Sequence, residues 1–371
     1  MKNLISDIPE ILLMGPGPSC VYPSVSQALS APTLGHLDPD FIRIMDGIKN
    51  MLQLLLKTQN RLTIPISGTG SAGMETAFVN SIEPGDPVLI IINGVFGTRM
   101  QDVAQRLGGA VDVLDFEWGV PVVVEAVKRA IQKKHYNIIA VVHAETSTGV
   151  CNPVEDIGML LKGSDALYLV DAVTSVGGIP VNMDPWCIDI LYTGTQKCLS
   201  CPPGLSPVSF SEKAVATLMN RKTKVPNWYL DLTMILNYWE GQTRAYHHTA
   251  PVNMLYGLYE SLRLILEEGP ENVYRRHLEN HLKLVDGLEG LGLSLLVQLD
   301  SRLPMLNSVK VPAGVDEARV RRRLREEFNI EIGAGLGPLA GKIWRIGLMG
   351  HTARIENVDR VLDALKIVLE K

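Results

Sequence analysis

The sequence predicts an α/β protein with a mostly parallel sheet flanked by helices, followed by a smaller C-terminal α+β region. Between about residue 60 and residue 210, short apolar runs alternate with segments of helical spacing. Continuous apolar strands separated by helices are typical of a parallel sheet that is covered on both faces. After about residue 250, strands and helices follow one another in mixed order, which favours an α+β arrangement.

Apolar runs and helical periodicity place the elements in order along the chain. Strands are predicted at residues 86–93, 111–116, 137–143, 166–170, 188–192 and 208–210. Helices are predicted at residues 95–107, 122–133 and 154–162, and a further helical pattern begins near Met74. Residues 211–250 are less regular. In the later region the predicted helices are 252–268, 271–288, 315–327 and 355–369, and the predicted strands are 308–311 and 344–348.

Length and composition bound the class of protein. A chain of 371 residues is longer than one hydrophobic core usually serves, so two domains are expected, with a boundary near residues 250–270. The net charge of -5 gives no basic surface for nucleic acid and no polybasic membrane patch. With no visible secretory signal and five cysteines that do not make a disulfide framework, a cytoplasmic location is expected.

Residues that could carry out chemistry lie at strand ends or turns of the predicted sheet. Residues 67–73 (SGTGSAG) can present backbone amides to a phosphate, although a tight turn would look the same. Asp171 ends an apolar strand, where a buried carboxylate needs a partner such as a protonated ring nitrogen, although an acid there can also face water. Lys197 follows a buried strand, where a desolvated amine loses its proton more easily and can form a Schiff base, although a surface-turn lysine is the alternative.

The order of these features carries more weight than each feature alone. A phosphate cradle, an acid for a ring nitrogen and an amine match the needs of a pyridoxal 5'-phosphate site. Ligands of parallel sheets bind at the carboxyl ends of the strands, and these features are predicted at strand ends or turns. Residues 143–149 (HAETSTG) follow another strand, and their hydroxyls could contact a ring substituent or a phosphate, or form a plain capped loop.

Seven motifs along the chain resemble those of the class V (fold type I) aminotransferases, and most closely the alanine–glyoxylate and serine–pyruvate group. They are residues 14–19 (MGPGPS), 67–70 (SGTG), 143–149 (HAETSTG), 170–173 (VDAV), 194–197 (GTQK), 246–249 (YHHT) and 344–350 (WRIGLMG). The resemblance implies the fold type I arrangement of pyridoxal-phosphate transferases, with a seven-stranded sheet. It also implies a segment 1–20 that reaches the active site or the partner, a large cofactor-binding domain 21–255 and a small domain 256–371.

The same resemblance assigns roles to individual residues. Lys197 would be the Schiff-base lysine and the base that moves the substrate proton, and Asp171 would pair with the pyridine nitrogen. Arg345 would hold the substrate carboxylate, for which a bidentate guanidinium is suited. The other implied cofactor contacts are Thr69, Gly70, Ser71 and Gln196 at the phosphate, Thr146 near the exocyclic oxygen, and Phe96 and Val173 on the ring faces. Gly15 and Thr146 would also line the substrate pocket.

Two further expectations concern subunits and a departure from relatives. Tyr246 and Thr249 match residues that reach the phosphate of the neighbouring subunit, which implies a homodimer with shared active sites. Phe96 stands where some close relatives have tryptophan, and it can still stack on a pyridine ring. Cys198 and Cys201 form a CxxC pair without a second pair at zinc spacing, so they are interpreted as small core residues and no metal is expected.

The expected reaction is ping-pong transfer of an amino group from alanine or serine to glyoxylate or pyruvate. Within the class, a ureidoglycine–glyoxylate aminotransferase and a 3-hydroxykynurenine transaminase remain alternatives, and His36, in a segment that could line the substrate mouth, is a candidate for setting that choice. A lyase or desulfurase is a further alternative, but a desulfurase needs a late catalytic cysteine and all five cysteines precede residue 202. Retention of Lys197, Asp171 and Arg345 argues against an inactive binding protein.

Overall fold

The computed structural model of the chain describes residues 4–240 and 244–369. Within these ranges the strands, β1 to β14 in chain order, are Leu12–Leu13, Leu62–Ser67, Pro87–Ile92, Ala110–Asp115, Ile138–Val142, Ala144–Glu145, Val150–Cys151, Leu167–Asp171, Ile190–Tyr192, Leu205–Phe210, Leu306–Lys310, Ile330–Glu331, Gly333–Ala334 and Ile343–Gly347. The helices, α1 to α12, are Pro23–Leu29, Pro39–Leu56, Gly70–Ser81, Val95–Arg106, Val124–Lys133, Val154–Leu161, Glu212–Met219, Leu232–Trp239, Val252–Glu268, Pro270–Gly290, Glu317–Phe328 and Ile355–Leu369.

The predicted mostly parallel sheet is confirmed. Seven of the strands in the described ranges form one sheet in the order β2-β10-β9-β8-β5-β3-β4, and only β10 runs against its neighbours. The central strands β5 and β8 are buried at every residue, as their apolar runs require, with Asp171 as the last residue of β8. At one edge, β4 mixes polar with apolar residues, and none of them is fully buried.

Helix α3 begins at Gly70, so the prediction of a helical start near Met74 was wrong by one turn. Its first turn consists of small residues, two of them glycines, which have a low helix propensity and conceal the start. The turn forms because Gly73 packs directly on β9 and β10, where a Cβ would lie 3.1 Å from the Tyr192 side chain. The phosphate cradle predicted at residues 67–73 is therefore part loop and part helix.

Residues 211–250, predicted to be less regular, contain two short helices, α7 and α8, within the part that the structure describes. Each begins with a side chain that caps its first turn: Ser211 accepts from the amide of Ala214, and Asp231 accepts from that of Thr233. Both helices bury apolar residues against the main core. Tertiary packing thus stabilises helices too short for periodicity to reveal.

The buried residues form two large apolar clusters. The first surrounds the seven-stranded sheet and extends into α9 and the start of α10. The second joins α10, α11 and α12 to the antiparallel sheet β11-β14-β13. Strand β1 pairs with β12, which ties the N-terminal segment to this second cluster. The predicted domain bounds 1–20, 21–255 and 256–371 stay a prediction, and residues 1–3 and 370–371 at their ends lie outside the described ranges.

The topology brings several loops to one edge of the large sheet, the edge formed by the carboxyl ends of its parallel strands. Strands β2, β3, β5, β8 and β9 run in the same direction, so the residues that follow them share an edge. This is the edge at which ligands bind in such sheets. Over the part of the chain that the structure describes, no helix combines the length and the apolar character needed to span a membrane.

Candidate active site

A cavity of about 220 Å³ opens at this edge of the sheet. Its lining residues are Thr69, Gly70, Ser71, Met74, Phe96, Arg99, Asp171, Val173, Tyr192, Gln196 and Lys197. The structure therefore gathers the predicted phosphate, ring and Schiff-base residues from four separate loops around one space. An open groove of about 550 Å³ beside α2 is larger, but the strand ends do not reach it.

Lys197 follows β9 and lies almost wholly inside the protein, with 8% of its surface exposed. Its Nζ donates a hydrogen bond to the carbonyl of Pro16. Gly17 has a positive φ of 100°, and a Cβ there would lie 2.5 Å from the same Nζ, so a side chain at this position is excluded. Burial lowers the pKa of Lys197 to about 8, and the nearby positive charge of Arg345 acts in the same direction. An appreciable fraction of this amine is therefore unprotonated near neutral pH.

Asp171 ends β8 and is 3% exposed. One carboxylate oxygen accepts from the amide of Val173 at 2.9 Å, and the other accepts from the hydroxyl of Tyr192 at 2.7 Å. Burial raises the pKa of Asp171 to about 6, although these two hydrogen bonds act against it. At neutral pH the group is still ionised and can hold the proton of a ring nitrogen. Sequence reasoning missed Tyr192, whose contact follows from its position directly opposite Asp171 in the β8–β9 pair.

The phosphate cradle lies where α3 begins. Thr69 is the N-cap residue and its side chain makes no capping hydrogen bond, so the first amides of the helix remain available to an anion. Gln196 lines the same space, and its buried Oε1 has no hydrogen-bond partner within residues 4–240 and 244–369. Turning this amide presents its NH₂ group to a phosphate. An unpartnered amide beside free helix amides fits the phosphate of pyridoxal 5'-phosphate.

Phe96 reaches the cavity from the first turn of α4, half-buried. The guanidinium of Arg99, one turn further along, lies 5.0 Å from the centre of its ring. Sequence reasoning missed Arg99 and also Met74, which line the cavity too. The i, i+3 spacing from Phe96 places Arg99 on the same helix face, and this signal could have identified it.

Arg345 lies on β14, 6% exposed, on the side of the site formed by the second cluster. Its Nε donates to the carbonyl of Ala334 at 2.7 Å, and its Nη1 donates to the carbonyl of Thr146 at 3.0 Å. Burial lowers its pKa to about 10, which leaves it charged. Among the described residues no carboxylate lies within ion-pair distance of it. Its remaining N–H groups are available to a planar carboxylate.

The segment around Gly15 connects Arg345 with Lys197. The amide of Gly347, two residues after Arg345, donates to the carbonyl of Met14 at 2.8 Å. The carbonyl of Pro16, two residues after Met14, accepts a hydrogen bond from the Nζ of Lys197. Gly15 and Arg345 thus lie near the amine of Lys197, on the side of the site formed by β14, and Thr146 adjoins them through its hydrogen bond from Arg345.

His36, Tyr246 and Thr249 lie apart from the residues that line this cavity. Tyr246 is 60% exposed, its ring centre is 5.1 Å from that of His36, and its hydroxyl is 3.4 Å from that of Thr249. The neighbouring His248 is fixed by a 3.0 Å hydrogen bond to Ser67 at the end of β2. In this chain the three residues therefore form a surface group near the sheet edge.

The two cysteines of the CxxC pair are buried in apolar surroundings, each 1% exposed. Burial raises the pKa of both thiols to about 12, so they are protonated and unreactive. Over residues 4–240 and 244–369, no group of three or more histidine, cysteine or acidic side chains is placed to hold a metal ion. The chemistry of the site thus rests on one amine, one carboxylate, an anion cradle and one guanidinium.

The similarity to known proteins extends over almost the whole chain. The family model of the class V aminotransferases matches residues 22–361. The rat alanine–glyoxylate aminotransferase is 43% identical over 98% of this chain and 88% of its own length. The crystal structure of the alanine–glyoxylate aminotransferase of Nostoc sp. superposes with a TM-score of 0.97, at 47% identity over 100% of this chain and 98% of that one. The ureidoglycine–glyoxylate aminotransferase of Bacillus subtilis superposes with a TM-score of 0.96, at 42% identity over 98% of this chain and 93% of that one.

Proposed function

The chain belongs to the class V aminotransferases, and from that premise we propose that it transfers the amino group of alanine or serine to glyoxylate. Its cofactor is pyridoxal 5'-phosphate, which the family uses and which the cavity residues fit. Pyruvate is a second acceptor of the same kind. Two similar proteins named for glyoxylate as acceptor, from rat and Nostoc sp., support the choice of substrates.

The observation that carries the proposal is the buried guanidinium of Arg345, which lies near the amine of Lys197 and has no carboxylate within ion-pair distance among the described residues. A buried charge without a partner is costly, so its partner is expected to arrive with the substrate. A planar α-carboxylate satisfies it and is common to alanine, serine, pyruvate and glyoxylate. The close approach of Pro16 and Gly17 to Lys197 narrows the space beyond the carboxylate and favours small substrates.

When bound, pyridoxal 5'-phosphate supplies an aldehyde for the amino group and a pyridinium ring that withdraws electrons from the substrate Cα. Lys197 takes the proton from that Cα through its Nζ, which the lowered pKa makes available as a base. Asp171 keeps the proton on the ring nitrogen. Arg345 orients the substrate through its carboxylate, so that the Cα–H bond faces Lys197. The same residues act in reverse when the acceptor 2-oxo acid enters, which gives ping-pong kinetics.

A second candidate is the transfer of an amino group from ureidoglycine to glyoxylate. The Bacillus subtilis protein named for this reaction is nearly as similar in sequence and structure as the alanine–glyoxylate enzymes. A 3-hydroxykynurenine donor remains a more distant alternative. Desulfurase chemistry is disfavoured because it needs a reactive cysteine late in the chain, whereas all five cysteines precede residue 202. Burial also raises the pKa of Cys151 to about 11 and those of Cys198 and Cys201 to about 12.

Half-reactions separate these candidates. The enzyme loaded with cofactor is mixed with alanine, serine, ureidoglycine or 3-hydroxykynurenine in the absence of any acceptor, and the loss of the cofactor's visible absorbance is followed. We expect alanine or serine to react fastest, and glyoxylate to restore the absorbance. A clear preference for ureidoglycine would replace the first proposal with the second. No reaction with any of the four donors would contradict both.

We also propose that the protein is a homodimer whose partners complete each other's sites. Tyr246 is 60% exposed, and Trp228, whose ring stacks on that of His247 with 4.3 Å between ring centres, is 59% exposed. Large exposed aromatic side chains held in a fixed arrangement are typical of an interface. Sedimentation equilibrium should give twice the chain mass, and a monomer with full cofactor affinity would contradict the shared site.

We propose a reducing compartment, the cytoplasm, as its location. All five cysteines are free thiols, and two of them, Cys198 and Cys201, are buried. Free thiols persist where the surroundings are reducing. Cell fractionation followed by detection of the protein tests this, and recovery with a membrane or an oxidising compartment would contradict it.

A further inference from the structure

Glu145 is a fully buried carboxylate next to the active site to which the reaction gives no role. It lies in β6, directly before Thr146, whose carbonyl accepts from Arg345. Both of its oxygens accept hydrogen bonds: one from the amide and hydroxyl of Ser147, at 3.0 and 2.5 Å, and the other from the amide of Phe96 at 3.2 Å. The carboxylate thus joins two loops that are about fifty residues apart in sequence.

The partner of Glu145 in the second loop is the start of helix α4. The residue before this helix is Gly94, which has no side chain to cap it. The hydroxyl of Ser147 accepts from the amide of Val95 at 3.0 Å, and Glu145 accepts from that of Phe96. Two amides that a helix start normally leaves unsatisfied are therefore capped from another part of the chain. A carboxylate also suits this end of the helix dipole.

The absence of a side chain at position 94 is a condition for this arrangement. A Cβ on Gly94 would lie 2.3 Å from the carboxyl carbon of Glu145 and 2.6 Å from the hydroxyl of Ser147. Any larger residue would displace both caps. The N-cap position of α4 thus carries no side chain, and Glu145 and Ser147 occupy the space that one would fill.

We propose that Glu145, together with Ser147, is a positioning residue that fixes Phe96 against the cofactor ring by capping helix α4 from outside. Phe96 is the second residue of the helix, so its ring direction depends on how this first turn is held. The inference rests on the proposed function, because it takes the cavity beside Phe96 to hold the cofactor ring.

A double-mutant cycle on cofactor affinity tests whether Glu145 acts through Phe96. Glutamine at position 145 has the same shape, but its NH₂ group must face either the amide of Phe96 or that of Ser147, and one buried donor loses its partner. Cofactor-free protein is titrated with pyridoxal 5'-phosphate at pH 8, where Glu145 is ionised even though burial raises its pKa to about 7. The dissociation constant is read from the visible circular dichroism of the bound cofactor, with no substrate present.

We expect Glu145→Gln to weaken cofactor binding about tenfold, and by less than about twofold when Phe96→Ala is already present. Equal losses in both backgrounds would show that Glu145 stabilises the site without acting through the ring, and would overturn the inference. No loss in either background would overturn it too. If Phe96→Ala by itself leaves the affinity unchanged, the placement of the ring is wrong and both the proposed site and the inference fail.

A matched control and a second variant keep the test decisive. Asp189 is another buried carboxylate, 9% exposed, which accepts from the amide of Tyr168 at 3.0 Å, from Ser211 at 2.8 Å and from the ammonium of Lys213 at 2.9 Å. It lies at the opposite ends of β8 and β9, so Asp189→Asn should leave the cofactor affinity within about twofold. Should Glu145→Gln fail to fold, Ser147→Ala removes the cap on Val95 and the hydroxyl that donates to Glu145, while the carboxylate still caps Phe96. The same cycle with Phe96→Ala applies to it.

Discussion

Replacement of Arg345 by glutamine tests the carboxylate anchor directly. Its guanidinium is 6% exposed and has two backbone acceptors but no acidic partner among the described residues. Removing one member of a buried charge pair costs about 2 to 5 kcal/mol. Glutamine retains neutral hydrogen bonds, so the lower end applies, and about 2 to 3 kcal/mol corresponds to a loss of about 30- to 150-fold in kcat/KM. The loss should affect donor and acceptor alike, because both present a carboxylate to the same group.

The assay is single-turnover kinetics of each half-reaction with the cofactor-loaded enzyme, which gives the substrate dissociation constant separately from the rate of the chemical step. Cofactor affinity should change by less than about threefold, because Arg345 lies outside the residues lining the cofactor cavity. Arg323→Gln is the control, since that guanidinium also donates to a carbonyl, Val368 at 3.1 Å, but far from the site. Unchanged dissociation constants for both substrates, or an equal loss in the control, would refute the assignment.

Three further expectations follow from the site. Tyr192→Phe removes the 2.7 Å hydrogen bond to Asp171, so the pKa of that carboxyl should rise above about 6 and the acid-side loss of cofactor affinity should move to higher pH; identical titrations from pH 5 to 8 would contradict this. Because the pKa of Lys197 is about 8, the free amine and hence the rate of cofactor attachment should rise about tenfold from pH 7 to pH 9 in stopped-flow absorbance, whereas a flat profile would mean that another step limits attachment. Tyr246→Ala should weaken cofactor binding in equilibrium titration without lowering the melting temperature of the cofactor-free protein, and an unchanged affinity would remove Tyr246 from the shared site.

The central strands could be predicted because burial on both faces leaves an unmistakable apolar run, as in β5. Strand β2 was not predicted, although it belongs to the same sheet. Its sequence contains Pro65, and proline normally argues against a strand because it donates no ladder hydrogen bond. The structure tolerates it because β2 is an edge strand, in which Pro65 lies opposite Pro207 of β10. Edge position is a property of strand order, which local sequence does not contain.

The same distinction applies to the site. Asp171 and Lys197 could be proposed from sequence because each follows a recognisable strand. Tyr192 and Glu145 could not, because their contacts depend on how strands and loops are paired. Tyr192 meets Asp171 across a parallel pair, and Glu145 meets Phe96 between two loops. The residues that do chemistry are thus visible along the chain, whereas the residues that hold them become visible only once the sheet is assembled.

Under the proposed dimer, the choice of amino donor would depend on residues from both subunits. His36 was proposed to set it, but in this chain its ring lies 5.1 Å from that of Tyr246, and its carbonyl accepts from Tyr238 at 2.8 Å. Under the proposed dimer, Tyr246 contributes to the neighbouring site, and these contacts oblige His36 to accompany it. Donor specificity would then be set by a histidine from the other subunit, beside an arginine and a lysine that one chain supplies. Donor specificity that depends on residues from two chains cannot be read from the spacing of motifs in the sequence of one chain.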